Sequence, residues 1–505
     1  MELEKVLSAS IYKLIVRTVT TLPFDVEKCL EEANFKYEGD KSALQIILHN
    51  NMRARQKHVP LCQDTGVLTF YVQAPCGFSQ KSFINATKDA VAKATENSLL
   101  RQNTIDILTT KMRDDNLGRG MPIVHFIERE QAEIQVSLLM KGGGCENKNK
   151  QYSLPYDMGT SGIAERDWEG VRQVVLHGVH EAQGAGCAPG IVGVAVGGDQ
   201  ASGAALAKSQ LLRSLSEVQP ASDITALEAR ILQEANALKI GVMGWGHGPT
   251  LLGCKIGLLD RIAPSFFVSI AYNCWALRRQ TFILNNSGAI LRWEDTNEGL
   301  PATIKDKRRM QIDNIKVLKT PLTKDQVCSL KVGDWVSLSG EIFTGRDRLH
   351  KYLCKHDSDI PLHESILYHT GPVVAYNDSE LRITSAGPTT SMRVEPYQAE
   401  VIKRYNLRAI IGKGGMGERT KKALARYGCV YLSAVGGAAP FYAEQIEEVL
   451  DHFLKEWGRT EAVWHLKVKD MLLLVTMDAH GNSLHDKIKA RSLQQLSQTL
   501  SPSCL

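Results

Sequence analysis

The stretch GCAPGIVGVAVGGDQASGAALAKSQLL, residues 186–212, decides the class of fold. Its centre, IVGVAVGG (191–198), is a short unbroken apolar run bounded by glycines, which reads as a buried strand. Asp199 stands where a helix N-cap belongs, ahead of the Ala-rich ASGAALAKSQLL, so the strand should hand over to a capped helix. Strand, glycine turn and helix in succession point to a mixed α/β protein.

The flanking sequence extends that reading. Leu3–Val19 has apolar residues at helical spacing, and Ser82–Leu100 repeats the pattern through Phe83, Ala86, Ala90, Val91 and Ala94. In AEIQVSLLM, alternation puts Ile134, Val136, Leu138 and Met140 on one face of a strand that ends at Lys141-Gly-Gly-Gly144. From about Asn285 to Arg309 the chain turns polar, and this is the expected boundary between an N-terminal domain of about 1–290 and a smaller one of about 305–485. The second part shows a strand in DWVSLSGEIF, a helix in EVIKRYN and short strands in RAIIG and CVYLSAV. A helix is expected from about Pro440 to Trp457, with Phe441, Ile446, Val449, Leu450 and Phe453 as its buried side. The polar tail, 486–505, reads as loosely held. The class is therefore α/β in two domains.

At 505 residues, with 43% hydrophobic and 23% charged side chains, the chain has the composition of a globular enzyme with more than one core. A net charge of +5 with no long basic run argues against a nucleic-acid or membrane-surface protein. No apolar stretch approaches the roughly 18 residues of a membrane span, and MELEKVLSAS does not resemble a targeting peptide, so a cytoplasmic location is expected. Eleven Cys, an odd number spread over the chain, suit thiol or metal chemistry better than a disulfide framework.

Three of those cysteines lie in turn-like settings that would present sulfur to a cavity: Cys62 in PLCQDTG, Cys187 in GAGCAPG and Cys274 in YNCWALRR. Taken singly, each is more often a small buried hydrophobe. Zinc is disfavoured, since neither CxxC nor HxxxH is present. IIGKGGMG lacks the P-loop frame and GIVGVAVGG the GxGxxG spacing, so nucleotide binding is not expected.

Taken together, PLCQDTG, MKGGGCENKNK, GCAPGIVGVAVGGDQ and NCWALRRQ resemble, in order, the α part of class I iron–sulfur fumarases and the related L-tartrate dehydratases. SGEIFTGRDRLHKYL, YHTGPVVA, SAGPTTSMR, IIGKGGMG, VYLSAVGGAAP, EAVWHLKVKD and DAHGNSL resemble their β part, so the likeness runs from about residue 8 to 485. It implies that Cys62, Cys187 and Cys274 hold a [4Fe–4S] cluster with one iron left open, where a closed electron-transfer cluster takes four thiolates. An open iron is the Lewis acid that loss or addition of water needs.

The same resemblance assigns Arg101, Arg346 and Arg393 as clamps for two carboxylates, a task suited to the planar guanidinium. Gln63, Asp64 and the backbone of Gly144 should meet substrate, Thr389 should act as base, and Lys413 should stabilise charge beside it. His350 either orients Arg346 or caps a helix. The chain departs from the family pattern at Cys145 after the triple glycine, at Ile262 where a His is usual, and at Arg119, the last two expected near substrate. The implied activity is reversible hydration of fumarate to L-malate by a homodimer. L-Tartrate dehydration or mesaconate hydration is the alternative within the class, and a redox-sensing module without turnover the alternative outside it.

Overall fold

The computed structural model describes residues 2–294, 312, 314–377 and 380–500. Among the described residues the N-terminal domain has a five-stranded sheet, a four-stranded sheet and a two-stranded ladder, Tyr156–Asp157 with Ile163–Ala164. Strand Ile134–Lys141 lies central in the five-stranded sheet, antiparallel to Val67–Ala74 and to Arg278–Leu284. Its alternation works as expected: Ile134, Val136, Leu138 and Met140 are all buried in one core with Phe83, Ala90 and Val91 of helix Gln80–Glu96. Helix Glu2–Thr20 supplies Leu7, Ile11, Leu14 and Val19 to the same core.

Strand Gly190–Val196 is buried at every position and sits between Leu251–Leu258, parallel to it, and Phe267–Asn273, antiparallel. Helix Gln200–Gln210 follows, and Asp199 caps it by accepting from the Ser202 amide at 2.7 Å. The sheet's register matters to the candidate site, because Cys274 directly follows the last residue of Phe267–Asn273 and Cys187 lies three residues before Gly190–Val196.

The C-terminal domain is built on seven strands. Trp335–Thr344, Ile366–Tyr368, Ala409–Gly412 and Val430–Ser433 run parallel in that order, and the long strand Val463–Met477 pairs antiparallel with both ends of the set, closing a ring. The strands expected from DWVSLSGEIF, RAIIG and CVYLSAV are thus present, as is the helix of EVIKRYN, Glu395–Tyr405.

Two expectations are corrected. The helix expected over 440–457 is a single turn, Ala439–Ala443, after which Ile446–Phe453 is an edge strand antiparallel to Val463–Met477. Its apolar residues at helical spacing are only partly buried, and Leu450 is 37% exposed; pairing with a distant strand overrides the local pattern. Glu447, Glu448 and Asp451 keep that edge charged, which discourages edge-to-edge association. The tail is not loosely held: Leu484–Leu500 is a helix whose Leu496 and Leu500 join the core around helix Trp168–Ala182. Its Ser492 hydroxyl accepts from Gln183 Nε2 at 3.0 Å, and Arg491 Nη2 donates to the Lys239 carbonyl at 2.7 Å, so this C-terminal helix clasps the N-terminal domain. The expected boundary lies largely outside the described residues, at 295–311, and so do 501–505 of the tail. Among the described residues no helix is long and apolar enough to cross a membrane.

Candidate active site

The seam between the domains is stitched at the residues singled out above. Gln63, 3% exposed, donates from Nε2 to the carbonyls of Gly387 (2.7 Å) and Pro388 (3.1 Å), across 324 and 325 positions of sequence. Arg101 Nη1 donates to the Gly371 carbonyl at 3.1 Å, and the Trp275 indole to the Gly436 carbonyl at 2.8 Å. Each link is backbone on one side, so it fixes the position of a turn and not only of a side chain.

Around that seam the thiols of Cys62, Cys187 and Cys274 are buried. Cys187 takes a left-handed backbone (φ 53°) at the end of the short turn Gln183–Gly186, which aims its side chain towards the other domain. There Lys413 Nζ donates to Cys187 Sγ at 2.7 Å. Burial pushes the Cys187 thiol up to about 11 and raises Cys62, whereas burial of Lys413 is outweighed by the sulfurs of Cys187, Cys145 and Cys62, which keep its proton on. A Cβ at Gly436 would come within 2.5 Å of Cys187 Sγ, so the wall facing that sulfur has room only for glycine. Cys145 joins this group: its thiol hydrogen-bonds with Cys274 and, with Lys141 and Lys413 nearby, is lowered to about 6 in spite of burial.

The carboxylate binders converge on the same place. Asp64 accepts from Gly144 N–H (3.3 Å) and faces Arg101 Nη2 (3.5 Å). Burial works against its charge, but Arg101 and Arg278 outweigh it and hold the carboxyl at about 2. Arg101, 8% exposed, is lowered to about 10, first by burial and then by the like charge of Arg346, with Arg393 adding to it. Three guanidinium groups brought this close together form an anion site. Arg346 Nη1 is held by Glu461 at 2.9 Å while its Nε has no partner among the described residues, and Arg393 Nη2 donates to Thr389 Oγ1 at 2.8 Å. Gly144 approaches Thr390 and Lys413 across the seam, with 3.8 and 3.9 Å to the position of an added Cβ. A cavity of about 510 Å³ opens beside these groups, lined by Gly144, Thr390, Arg393, Gly414 and His485.

All eleven expected site residues therefore gather at one seam, drawn from both domains. The two departures do not join them: Ile262 is 69% exposed in a loop where Arg261 bonds the loop's own carbonyls, and Arg119 is exposed. Sequence reasoning missed Arg278. It is 2% exposed, donates from Nη2 to the Asp64 carbonyl at 2.7 Å, and has Nε and Nη1 without partners among the described residues. Its signal was available, since it lies four residues after Cys274 in a segment already marked.

The donor set fits an iron–sulfur cluster. Buried thiols face an ammonium and a guanidinium that, among the described residues, has donors left over; these cations offset part of the burial that raises the thiols and would balance the charge of an anionic cluster. Among the described residues no three His, Cys, Asp or Glu side chains converge as on a single ion, and ligands of a four-iron cluster need not, because they sit on different metal atoms.

Residues 8–283 match the family model described as fumarate hydratase, and 288–488 match that of the fumarase C-terminus. The chain is 45% identical over 511 residues to a Geobacillus stearothermophilus protein named "Putative fumarate hydratase class I", covering 98% of each. Two Methanocaldococcus jannaschii proteins named "Putative L(+)-tartrate dehydratase" match it in separate pieces. The subunit alpha is 34% identical over 54% of this chain and 95% of its own length, and the subunit beta 41% over 35% and 95%. The chain belongs to the class I fumarate hydratase family and is a hydro-lyase carrying both parts in one polypeptide.

Proposed function

We propose that the protein catalyses reversible hydration of fumarate to L-malate, with Cys62, Cys187 and Cys274 holding a [4Fe–4S] cluster and with domain borders near residues 290 and 305. A homodimer in the cytoplasm is part of the same reading. The observation that carries it is the meeting of Arg101, Arg346 and Arg393 with Asp64, Lys413 and Thr389 around buried thiols. When bound, the cluster supplies an open iron as Lewis acid for the substrate hydroxyl.

The protein's own groups would do the rest. Arg101, Arg346 and Arg393 bind the two carboxylates and fix the plane of the double bond between them. Thr389 moves the proton at the neighbouring carbon: Arg393 already donates to its Oγ1 at 2.8 Å, which favours the alkoxide form. Lys413, its charge held by the sulfurs, stabilises negative charge that develops on the substrate carboxylate. Asp64 stays ionised between Arg101 and Arg278 and orients Arg101. Because Ile262 is exposed, it gives no reason for discriminating among dicarboxylates, and the preference for fumarate rests on the full-length likeness to the class I protein.

The test is anaerobic reconstitution followed by a panel of L-malate, fumarate, L-tartrate, D-tartrate and mesaconate. About four irons and four sulfides per chain are expected, lost in Cys62→Ser, Cys187→Ser and Cys274→Ser but kept in Cys254→Ser and Cys429→Ser. Best kcat/KM on L-tartrate would replace fumarate as substrate, and no turnover by fully loaded protein would refute the hydratase reading.

A further inference from the structure

We propose that His350, Gln398, His369, Ser391 and Tyr431 form one buried hydrogen-bonded chain that positions Arg346 and the Thr389–Arg393 turn relative to each other. The inference rests on the roles given above to Arg346, Thr389 and Arg393. None of the five residues touches the solvent: each is at most 1% exposed. They come from four elements and one turn: helix Asp347–Leu353, helix Glu395–Tyr405, the end of strand Ile366–Tyr368, the short turn Ser391–Val394, and strand Val430–Ser433.

The protonation of the chain follows from its ends. His350 Nδ1 lies 2.8 Å from the Arg346 carbonyl oxygen, which only accepts, so Nδ1 carries hydrogen. Complete burial lowers His350, and it lowers His369 much further, with the charge of Arg393 adding to the effect. Asp347 is the one charge that opposes this at His350. Both rings are therefore neutral, and the bare Nε2 of His350 must accept. The Gln398 Oε1 position is 2.9 Å from Nε2 of both rings, while its Nε2 position has no partner among the described residues. The amide satisfies the network only when turned over, so that its NH2 gives one hydrogen to each ring and the carbonyl takes the empty side. His369 Nδ1 then donates to Ser391 Oγ at 2.8 Å, and Tyr431 donates to the second lone pair of that oxygen at 2.7 Å.

Each terminus of the chain fastens backbone next to a site residue. His350 holds the carbonyl of Arg346 itself, at the start of its helix. The His369 carbonyl accepts from Thr389 N–H at 2.7 Å. Ser391 lies between Thr389 and Arg393, and its N–H donates to the Lys413 carbonyl at 3.2 Å. A Cβ on Gly412 would fall within 1.9 Å of Ser391 Oγ and 2.7 Å of the Tyr431 hydroxyl, so the chain also fixes the strand that leads to Lys413. One amide side chain thus governs the spacing between two carboxylate-binding guanidinium groups and the hydroxyl beside them.

The test uses full-length holoenzyme and Gln398→Met, which keeps the volume and removes both donors. Binding of succinate, a dicarboxylate that cannot be dehydrated, is measured by calorimetry, together with kcat and KM, iron content and melting temperature. We expect at least a tenfold weaker Kd for succinate and a larger loss in kcat/KM than in kcat, with iron content unchanged. In a Thr389→Ala background, Gln398→Met should cost kcat little more, because it acts through that turn. A lower melting temperature with wild-type succinate affinity would overturn positioning in favour of plain stability. Nitrogen NMR of histidine-labelled protein, assigned with His350→Gln and His369→Gln, should show both rings neutral with hydrogen on Nδ1 from pH 6 to 8. An imidazolium at either place would overturn the chain as described, whatever the substrate proves to be; failure of wild-type protein to bind succinate would instead refute the dicarboxylate reading.

Discussion

Replacing Asp64 by Asn removes the anion that Arg101 and Arg278 surround while keeping an oxygen for the Gly144 amide. The carboxyl sits at about 2 where its ordinary value is 3.8, a difference of 3.8 − 2, or about 1.8. At about 1.36 kcal/mol per unit this corresponds to roughly 2.5 kcal/mol in favour of the folded state. Asp64 keeps 29% of its side-chain surface in water, and screening there reduces the figure to about 1.5–2 kcal/mol. Because the folded value is the lower one, the stabilisation is complete above the unfolded value of 3.8 and is lost as pH falls towards 2. Urea unfolding of wild type and Asp64→Asn should therefore differ by about 1.5–2 kcal/mol at pH 7 and at pH 5, and the gap should narrow below pH 4. Equal stability at pH 7, or a gap unchanged down to pH 3, would refute the claim that these cations hold Asp64 ionised.

Thr389→Ala should leave the iron content and the dicarboxylate affinity intact and lower kcat by about a hundredfold or more, as expected for loss of a proton-transfer group; steady-state kinetics on reconstituted enzyme checks it. Trp275→Phe keeps an apolar ring in a site that is 0% exposed but strands the Gly436 carbonyl, so thermal and urea unfolding should show a loss of about 1–3 kcal/mol.

How much of this was legible in sequence follows from how local each cause is. Strand Gly190–Val196, its Asp199 cap and the helix beyond it depend on neighbours within a few residues, and all three form as read. Ile446–Phe453 is different, because what makes it a strand is Val463–Met477 lying alongside, and no pattern within EQIEEVLDHF records that partner. The C-terminal helix was missed for a related reason: its buried face is Ile488, Ser492, Leu496 and Leu500, a stripe too polar to stand out until helix Trp168–Ala182 covers it. In the site, Cys62 and Cys187 stand in glycine- and proline-punctuated turns that mark them locally, whereas Cys274 and the polar residues were legible through the resemblance of their segments to a known family. Arg278 and the His350–Gln398–His369 chain were not, since their role lies in which backbone group each side chain reaches.

The seam itself explains why both parts are needed. Side chains of the first domain, Gln63, Arg101 and Trp275, donate to carbonyls of the second, at Gly387, Gly371 and Gly436. In the other direction, Ser385 donates to the Pro60 carbonyl at 2.8 Å and Lys413 reaches Cys187. Pro60 is two residues from Cys62, Gly387 two from Thr389, and Gly436 is packed on Cys187 Sγ. Docking the domains and assembling the site are thus the same set of contacts, and a shift of either domain displaces sulfurs and guanidinium groups together. The tartrate dehydratase relatives named subunit alpha and subunit beta match this chain in separate pieces. Covalent fusion makes the encounter intramolecular, and it holds the two halves at a fixed ratio and a high effective concentration. The helix Leu484–Leu500 adds to this by returning across the seam, so that the second domain is held to the first by this clasp as well as by the contacts of the seam.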